Sequence, residues 1–276
     1  MVAPLHFYRA EVLVLKSRDL NEADKLVTLF SREEGKIQAV ARGARRPRNR
    51  LLAPIQPFSH SLLLLFPGRE LDTIGQGEIK ESFRFLREDL SRMAFSSYAA
   101  ELVDEFTREK EKGPEIFQLL LEFFRFLGPG RTETDLARLA RYRVGLAYFQ
   151  LQLLACVGFR PELQRCVNCG EALENWAEKG PSVRLGLDTG GLLCPRCFGA
   201  AQRTVTLSVG ALASLHFLLR AAWSHLHRLQ LRAAQLVEVE SFLAAYVEER
   251  LEKPLRSREF LRLVTEPGLI STPEGG

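Results

Sequence analysis

Two Cys-x-x-Cys pairs, Cys166/Cys169 and Cys194/Cys197, constrain this chain more than any other feature. Each pair sets two thiolates on one short turn, and two such turns complete the tetrahedral shell that zinc takes in structural sites. Four thiolates leave no position for a reacting water, so the metal they imply is structural, one Zn(2+) per chain. Gly170 after the first pair, Gly190-Gly191 before the second and Pro195-Arg196 inside it suit tight turns. The segment Arg165 to Ala200 is poor in large apolar side chains, so its folding is expected to draw on the metal. Two disulfides or a redox pair are the alternatives that spacing alone leaves open.

At 276 residues the chain has enough length for a substantial core and two or three domains. The fifth cysteine, Cys156, lies in the apolar run of Leu151, Leu153, Leu154 and Val157 and reads as a buried free thiol. An odd cysteine total argues against an exported disulfide scaffold. The amino terminus lacks a long apolar region before a small-residue cleavage site, and Ser61–Phe66 is far too short to span a membrane. The expected setting is the reducing cytoplasm, with no membrane partner.

The formal net charge is only +4, but it is unevenly spread. Lys36, Arg42, Arg45, Arg46, Arg48 and Arg50 follow one another without an intervening acidic residue. Such a cluster neutralises phosphates and gives a salt-dependent affinity for nucleic acid. The competing reading is a solvated arginine-rich loop. Asp19, Glu22 and Asp24 have Lys16, Arg18 and Lys25 as neighbours and read as a charged turn, whereas Glu248, Glu249 and Glu252 share a charged helix end with Arg250 and Lys253 where local ion pairing accounts for them.

Short strand-like runs at 7–15, 25–30, 37–41, 58–66 and 71–79 follow without intervening helices and predict a compact antiparallel sheet or barrel. The basic segment then falls in a loop between strands. After Gly77 apolar residues recur at helical spacing over 83–106, 116–127, 134–157, 209–229 and 233–251, with a further helix or turn at 255–264. Ser271 to Gly276 reads as a polar tail. The aromatic side chains are most simply core packing. No phosphate-binding GxxxxGK[ST] loop, dinucleotide-binding GxGxxG loop or HExxH pair is present, and no nucleophilic constellation emerges, so the chain reads as a nonenzymatic protein.

Three blocks in order carry a resemblance: Val12–Leu15 with Arg18–Phe30; Glu34-Gly35-Lys36 with Ala39–Arg46; and Leu52–Phe58. Together with Cys166-Val167-Asn168-Cys169-Gly170, Cys194-Pro195-Arg196-Cys197 and Leu255–Leu261, they resemble the zinc-containing form of the RecO family of bacterial DNA repair and recombination mediators. The resemblance covers residues 5–262 and implies an α+β multidomain chain. Its expected parts are an OB-fold β-barrel at 1–80, a largely α-helical body at 81–164 and 201–265, a four-cysteine zinc subdomain at 165–200 and a tail at 266–276. It implies binding of single- and double-stranded DNA, annealing of complementary strands and, with RecR, loading of RecA onto DNA coated with single-strand-binding protein, in the cytoplasm at the nucleoid. On an OB barrel the basic loop supplies Lys36, Arg42, Arg45, Arg46, Arg48 and Arg50 as phosphate contacts, while Phe7, Tyr8 and Phe30 read as barrel support rather than base platforms. The alternative is a structural or transcription-associated protein that uses its barrel and zinc ribbon for protein contacts.

Overall fold

A computed structural model describes residues 7–47, 49–129, 134–176, 181–229 and 231–265. Arg48 and the tail from residue 266 lie outside the described residues. The chain divides into two compact units, one within Met1–Thr132 and Leu255–Gly276, the other within Glu133–Pro254.

The first unit is built on a closed five-stranded barrel of β1 (Tyr8–Asp19), β2 (Lys25–Ser31), β3 (Gly35–Ala41), β4 (His60–Phe66) and β5 (Asp72–Glu81), in the order β1-β2-β3-β5-β4. This is the architecture of an OB-fold. β1 is long because it serves two partners: Tyr8 to Leu13 pair with β4, and Val12 to Asp19 pair with β2. A parallel contact of Ala39 and Val40 with Asp72 and Thr73 closes the ring. Alternation places Val12, Val14, Val27, Leu29, Ile37, Ala39, Leu63 and Leu65 inside, where they form the barrel core with Ala44 and Ile55 of the β3–β4 loop. The residues of opposite parity, Leu13 and Phe30, are equally inaccessible, so the barrel also buries part of its outer face.

Helices α1 (Arg84–Glu88), α2 (Leu90–Phe106) and α3 (Pro114–Phe126) follow, and α7 (Arg256–Thr265) returns to pack on α2. Asp89 interrupts the run that periodicity predicts as one helix from 83 to 106. It adopts an extended conformation and its carboxylate caps α2 by accepting the Arg92 N–H at 2.8 Å. The α3 ring of Phe124 stands edge-on to Phe58 at 5.6 Å and to Phe83 at 5.8 Å. Phe58 and Phe83 both hold positive φ, 72° and 41°, a conformation that costs a bulky residue about 1–3 kcal/mol and persists only where packing imposes it. Both are nearly inaccessible.

A charged cluster lies beside this contact. His60 approaches Glu11 through Nε2 at 2.7 Å and Glu81 through Nδ1 at 3.4 Å, with Phe117 edge-on to its ring. Lys80 pairs with Glu11 at 2.9 Å, and Arg125 donates to both oxygens of Glu81. Partial burial raises the Glu11 carboxyl, but hydrogen bonds from Lys80 and His60 outweigh it and the net shift is downward. The Arg125 hydrogen bond dominates at Glu81 and lowers it against the same burial.

The second unit holds α4 (Asp135–Cys156), α5 (Val209–Arg220) and α6 (Ala233–Leu251) against a three-stranded sheet in the order β7-β6-β8: β6 (Ser182–Gly186), β7 (Gly191–Leu193) and β8 (Thr204–Ser208). α5 ends at Arg220, earlier than the periodicity predicts, and a short 3-10 segment covers Trp223–Arg228. Cys156 is exposed rather than buried: the inaccessible face of α4 ends at Leu153 and Leu154, and Cys156 falls on the last turn beyond it. No helix among the described residues is long and apolar enough to cross a membrane.

Replacing Phe124 by Ala is expected to destabilise the first unit by about 3–5 kcal/mol, because it empties the site that holds two strained phenylalanines. Denaturant unfolding followed by tertiary-structure signal checks this, and a loss below about 1 kcal/mol would mean that the ring cluster is not what holds those conformations. The depressed carboxyls of Glu11 and Glu81 contribute stability that is fully present above their ordinary value of 4.5 and is lost as pH falls through their lower folded values. Arg125→Gln should therefore cost stability at neutral pH, with the difference from the parent shrinking as pH falls through the folded value of Glu81, and a parent–variant difference that does not change with pH would reject the assignment.

Candidate metal centre and nucleic-acid interface

β7 organises both cysteine turns. Cys194 follows its last residue directly, and the Cys197 N–H closes the second turn on the Cys194 carbonyl at 2.8 Å. The first turn is anchored to the same strand, because the Val167 N–H donates to Leu192 O at 2.8 Å. Gly170, at φ +75°, turns its N–H back to Cys166 O at 2.9 Å, and the Cys166 N–H reaches Glu171 O at 2.8 Å.

The four Sγ atoms all lie within 4.8 Å of one another. Cys169 and Cys194 are 3.7 Å apart at sulfur, against about 3.8 Å for two thiolates on a tetrahedral ion with metal–sulfur bonds of about 2.3 Å. A disulfide would bring two sulfurs to about 2.05 Å, and all four cysteines are free thiols. The disulfide alternative is set aside, and the cluster is capable of coordinating a metal ion. Burial raises the Cys166 thiol, yet N–H groups of Cys194, Cys169 and Asn168 more than offset that and bring it down to about 6. Asn168 Nδ2 also donates to Cys197 Sγ at 3.3 Å, and Arg196 bridges to Glu171 at 2.7 Å, tying the two turns together outside the sulfurs. The insert is less bare than its composition suggests. Val183, Leu185, Leu192 and Leu193 are inaccessible on β6 and β7, and β8, which follows the second turn, pairs with β6.

The basic segment is the structured loop between β3 and β4. Gly43, at φ +65°, donates its N–H to Asp24 at 2.7 Å, the Arg45 N–H donates to Ala23 O at 2.9 Å, and Asn49 Nδ2 closes on Gly43 O at 2.7 Å. Ala44 and Ile55 plug the barrel while Arg42, Arg45, Arg46 and Arg50 are exposed. Their charges are not equivalent. Arg45 pairs with Asp19 at 3.2 Å and reaches Asn21 O. Lys36, on β3 and away from the loop, is three-quarters or more covered and pairs with Asp104 of α2 at 3.3 Å. Arg42, Arg46 and Arg50 make no ion pair among the described residues, although Arg42 and Arg46 help the Gly43 N–H and Asn21 to hold the Asp24 carboxyl below its ordinary range. Arg48 lies outside the described residues.

Two further cations join them. Asp19, read from the sequence as part of a charged turn with Lys16, Arg18 and Lys25, pairs with Lys25 at 2.7 Å and also takes Arg45 from the β3–β4 loop. Lys16 and Arg18 are exposed and without an ion pair among the described residues. Cross-strand register aligns Lys16 with Thr28 and Gln38, and Arg18 with Leu26 and Val40, on the outer face of β1, β2 and β3. The aromatic candidates divide. Phe30 is inaccessible and Tyr8 donates its phenol to Asp72, both as barrel support, whereas Phe7 is exposed beside Phe66.

The family model described as "Recombination protein O N terminal" matches residues 5–83, and that described as "Recombination protein O C terminal" matches residues 87–259. The chain belongs to the RecO family. Among curated relatives, a DNA repair protein RecO of Symbiobacterium thermophilum is 42% identical over 255 residues, covering 92% of this chain and 96% of the relative. Those of Heliobacterium modesticaldum and Pelotomaculum thermopropionicum are 38% and 37% identical, covering 98% and 93% of this chain and 94% of each relative. Membership in the RecO family makes the chain a DNA repair and recombination mediator rather than an enzyme, and sets aside the transcription-associated alternative.

The cysteine geometry leads to a measurable expectation. One soft divalent ion should bind per chain with release of thiol protons. Cys194→Ser should abolish tight binding, and Asn168→Ala, which removes only the hydrogen bond to Cys197, should weaken it by about 10–100-fold. Competition with a chelator of known affinity measures both, and an Asn168→Ala protein with the parent's affinity would remove that side chain from the metal's outer shell.

Proposed function

We propose that this chain binds single- and double-stranded DNA through the outer face of its barrel, anneals complementary single strands, and with RecR assists RecA onto DNA coated with single-strand-binding protein. The observation that carries the reading is the set of exposed cations without an ion pair among the described residues, Arg42, Arg46 and Arg50 on the β3–β4 loop with Lys16 and Arg18 on β1. Planar guanidinium forks suit phosphate oxygens, and such contacts hold a strand without reading its bases. Their bases stay available to a second strand, so annealing needs no chemistry from the protein. Lys36 and Arg45 already have carboxylate partners, and their contribution is the smaller one. Thr28, Gln38, Leu26 and Val40 offer a mixed surface between the cations on which a flexible strand rests.

Zn(2+) is the proposed ion of the cysteine centre. A closed shell of four thiolates suits its tetrahedral preference and leaves no place for a substrate, so its work is to hold the turns around β7. RecR, RecA and single-strand-binding protein enter from the family, as does action in the cytoplasm at the nucleoid.

Replacing Arg42, Arg46 and Arg50 together by Ala is expected to weaken single- and double-stranded DNA alike. The slope of log affinity against log salt should become shallower by about 0.7 for each single-strand phosphate that the variant no longer neutralises. Annealing of complementary oligonucleotides should slow in parallel and proceed without ATP consumption, and the stimulation of RecA entry by RecR and this chain should fall with it. A folded triple variant with the parent's binding, salt slope and annealing rate would reject the interface. Lys36→Ala should change binding less than any of the three arginine replacements taken singly.

A further inference from the structure

The second unit contains a cleft of about 310 Å³ lined by Arg160, Glu162, Leu163, Gln164, His216 and Arg220, with Pro161 and Leu219 completing the wall. Both walls are held in place by the fold. Glu162 exchanges backbone hydrogen bonds with the β7 region, its N–H to Gly190 O at 3.0 Å and its carbonyl from Leu192 N–H at 2.9 Å. Leu163 is inaccessible and pins the segment from inside. A Cβ on Gly191 would sit 2.4 Å from Glu162 O, so the segment and β7 meet at a distance that only glycine permits. On the other side, α5 is tied to α4 by Gln152 Nε2, which donates to Leu218 O at 2.9 Å. The cleft is thus formed before any ligand arrives, which spares a ligand the cost of ordering it.

Its charge is also set. Arg160 and Arg220 are exposed, come from different elements and have no ion pair among the described residues. One Glu162 oxygen accepts the Gln164 N–H at 2.7 Å. Burial, with Arg220 close by, depresses the His216 imidazole below its ordinary value although it bonds the Leu163 carbonyl, so the positive charge belongs to the two guanidiniums.

We propose that this cleft is a second nucleic-acid contact, a subsite for one nucleotide of a single strand in which Arg160 and Arg220 take the backbone phosphate. The inference rests on the DNA-binding reading above and adds to the barrel interface a separate contact on the helical unit. Two guanidiniums facing one space match a phosphate through paired N–H donors. The remaining wall is mostly polar: Glu162 and Gln164 offer an acceptor and an amide to sugar or base, while Leu219 and Pro161 give a limited apolar surface. An acidic peptide fits less well, because its ionised side chains offer no hydrogen-bond donor to Glu162, whereas a nucleotide does through its base. A mediator that pairs two strands gains from contacts on two units, since each can hold a different strand.

The test uses the full chain and a fluorescein-labelled oligothymidylate. Arg160→Ala with Arg220→Ala is expected to weaken binding about tenfold, to make the salt dependence shallower by about 0.7 for each phosphate released, and to slow annealing. Arg160→Lys with Arg220→Lys, which keeps the charge and loses the fork, should recover most of the salt slope. Combined with the loop triple variant, the alanine pair should remove the binding that the triple variant retains. A folded alanine pair with the parent's affinity, slope and annealing rate overturns the site, and if the loop variant is impaired in the same assay the barrel reading still stands. The reverse outcome, an impaired pair with an unaffected loop variant, supports the cleft and rejects the barrel. A loss confined to a labelled peptide of Asp and Glu overturns the proposal in favour of a protein partner. Thymidine monophosphate competing as well as the oligomer overturns the strand assignment in favour of a free nucleotide.

Discussion

One irregularity in β1 fixes where the charge of the barrel can go. Val14 pairs with Leu29 and Lys16 pairs with Thr28, so Leu15 is an extra residue in the ladder. Ala10, Val12 and Val14 point into the barrel. In an uninterrupted strand the same parity would send Lys16 and Arg18 inward as well, into a space filled by Val27, Leu29, Ile37 and Ala39. A charge buried there without a partner is not sustainable. The bulge reverses the parity after Val14 and delivers Lys16 and Arg18 to the outer face opposite Thr28 and Leu26.

This explains which parts of the fold are legible in the sequence. Five strands and the helices after them are read from apolar periodicity, because burial on one face writes a period of two or 3.6 into the chain. The bulge leaves no such mark, since Val12-Leu13-Val14-Leu15 is apolar at every position and conceals the change of register. The break at Asp89 is hidden for a related reason: a capping aspartate inside a continuous apolar pattern looks like any exposed helical residue. Cys156 is misplaced because an apolar run implies burial of the whole segment, whereas a helix buries one face and its final turn projects beyond the core.

The two candidate sites differ in the same way. The cysteine centre is almost wholly local: the spacing within each pair sets two sulfurs on one turn, and only the meeting of the two turns across β7 is tertiary. The arginine loop is visible as a cluster, yet which of its charges can serve a ligand depends on carboxylates elsewhere in the chain. Asp104 lies on α2 and takes Lys36, and Asp19 lies across the β1–β2 turn and takes Arg45. The same redistribution frees Lys16 and Arg18. A count of basic residues by position cannot make that exchange, because it is settled by geometry between strands.

The division between neutralised and unpaired cations bears on how a mediator works. A strand held at every base could not pair with its complement, and a strand held too tightly at its phosphates could not be passed on. Contacts that release counterions give affinity that is broad in sequence and steep in salt. Internal ion pairs at Arg45 and Lys36 lower the number of charges offered to DNA while fixing the loop and the β2–β3 hairpin that present the rest. On the proposed reading the barrel is therefore a rigid frame with a moderate, exposed charge. Its carboxylates set that limit, since each one paired to an arginine or lysine removes a phosphate contact and adds an anchor for the surface that remains.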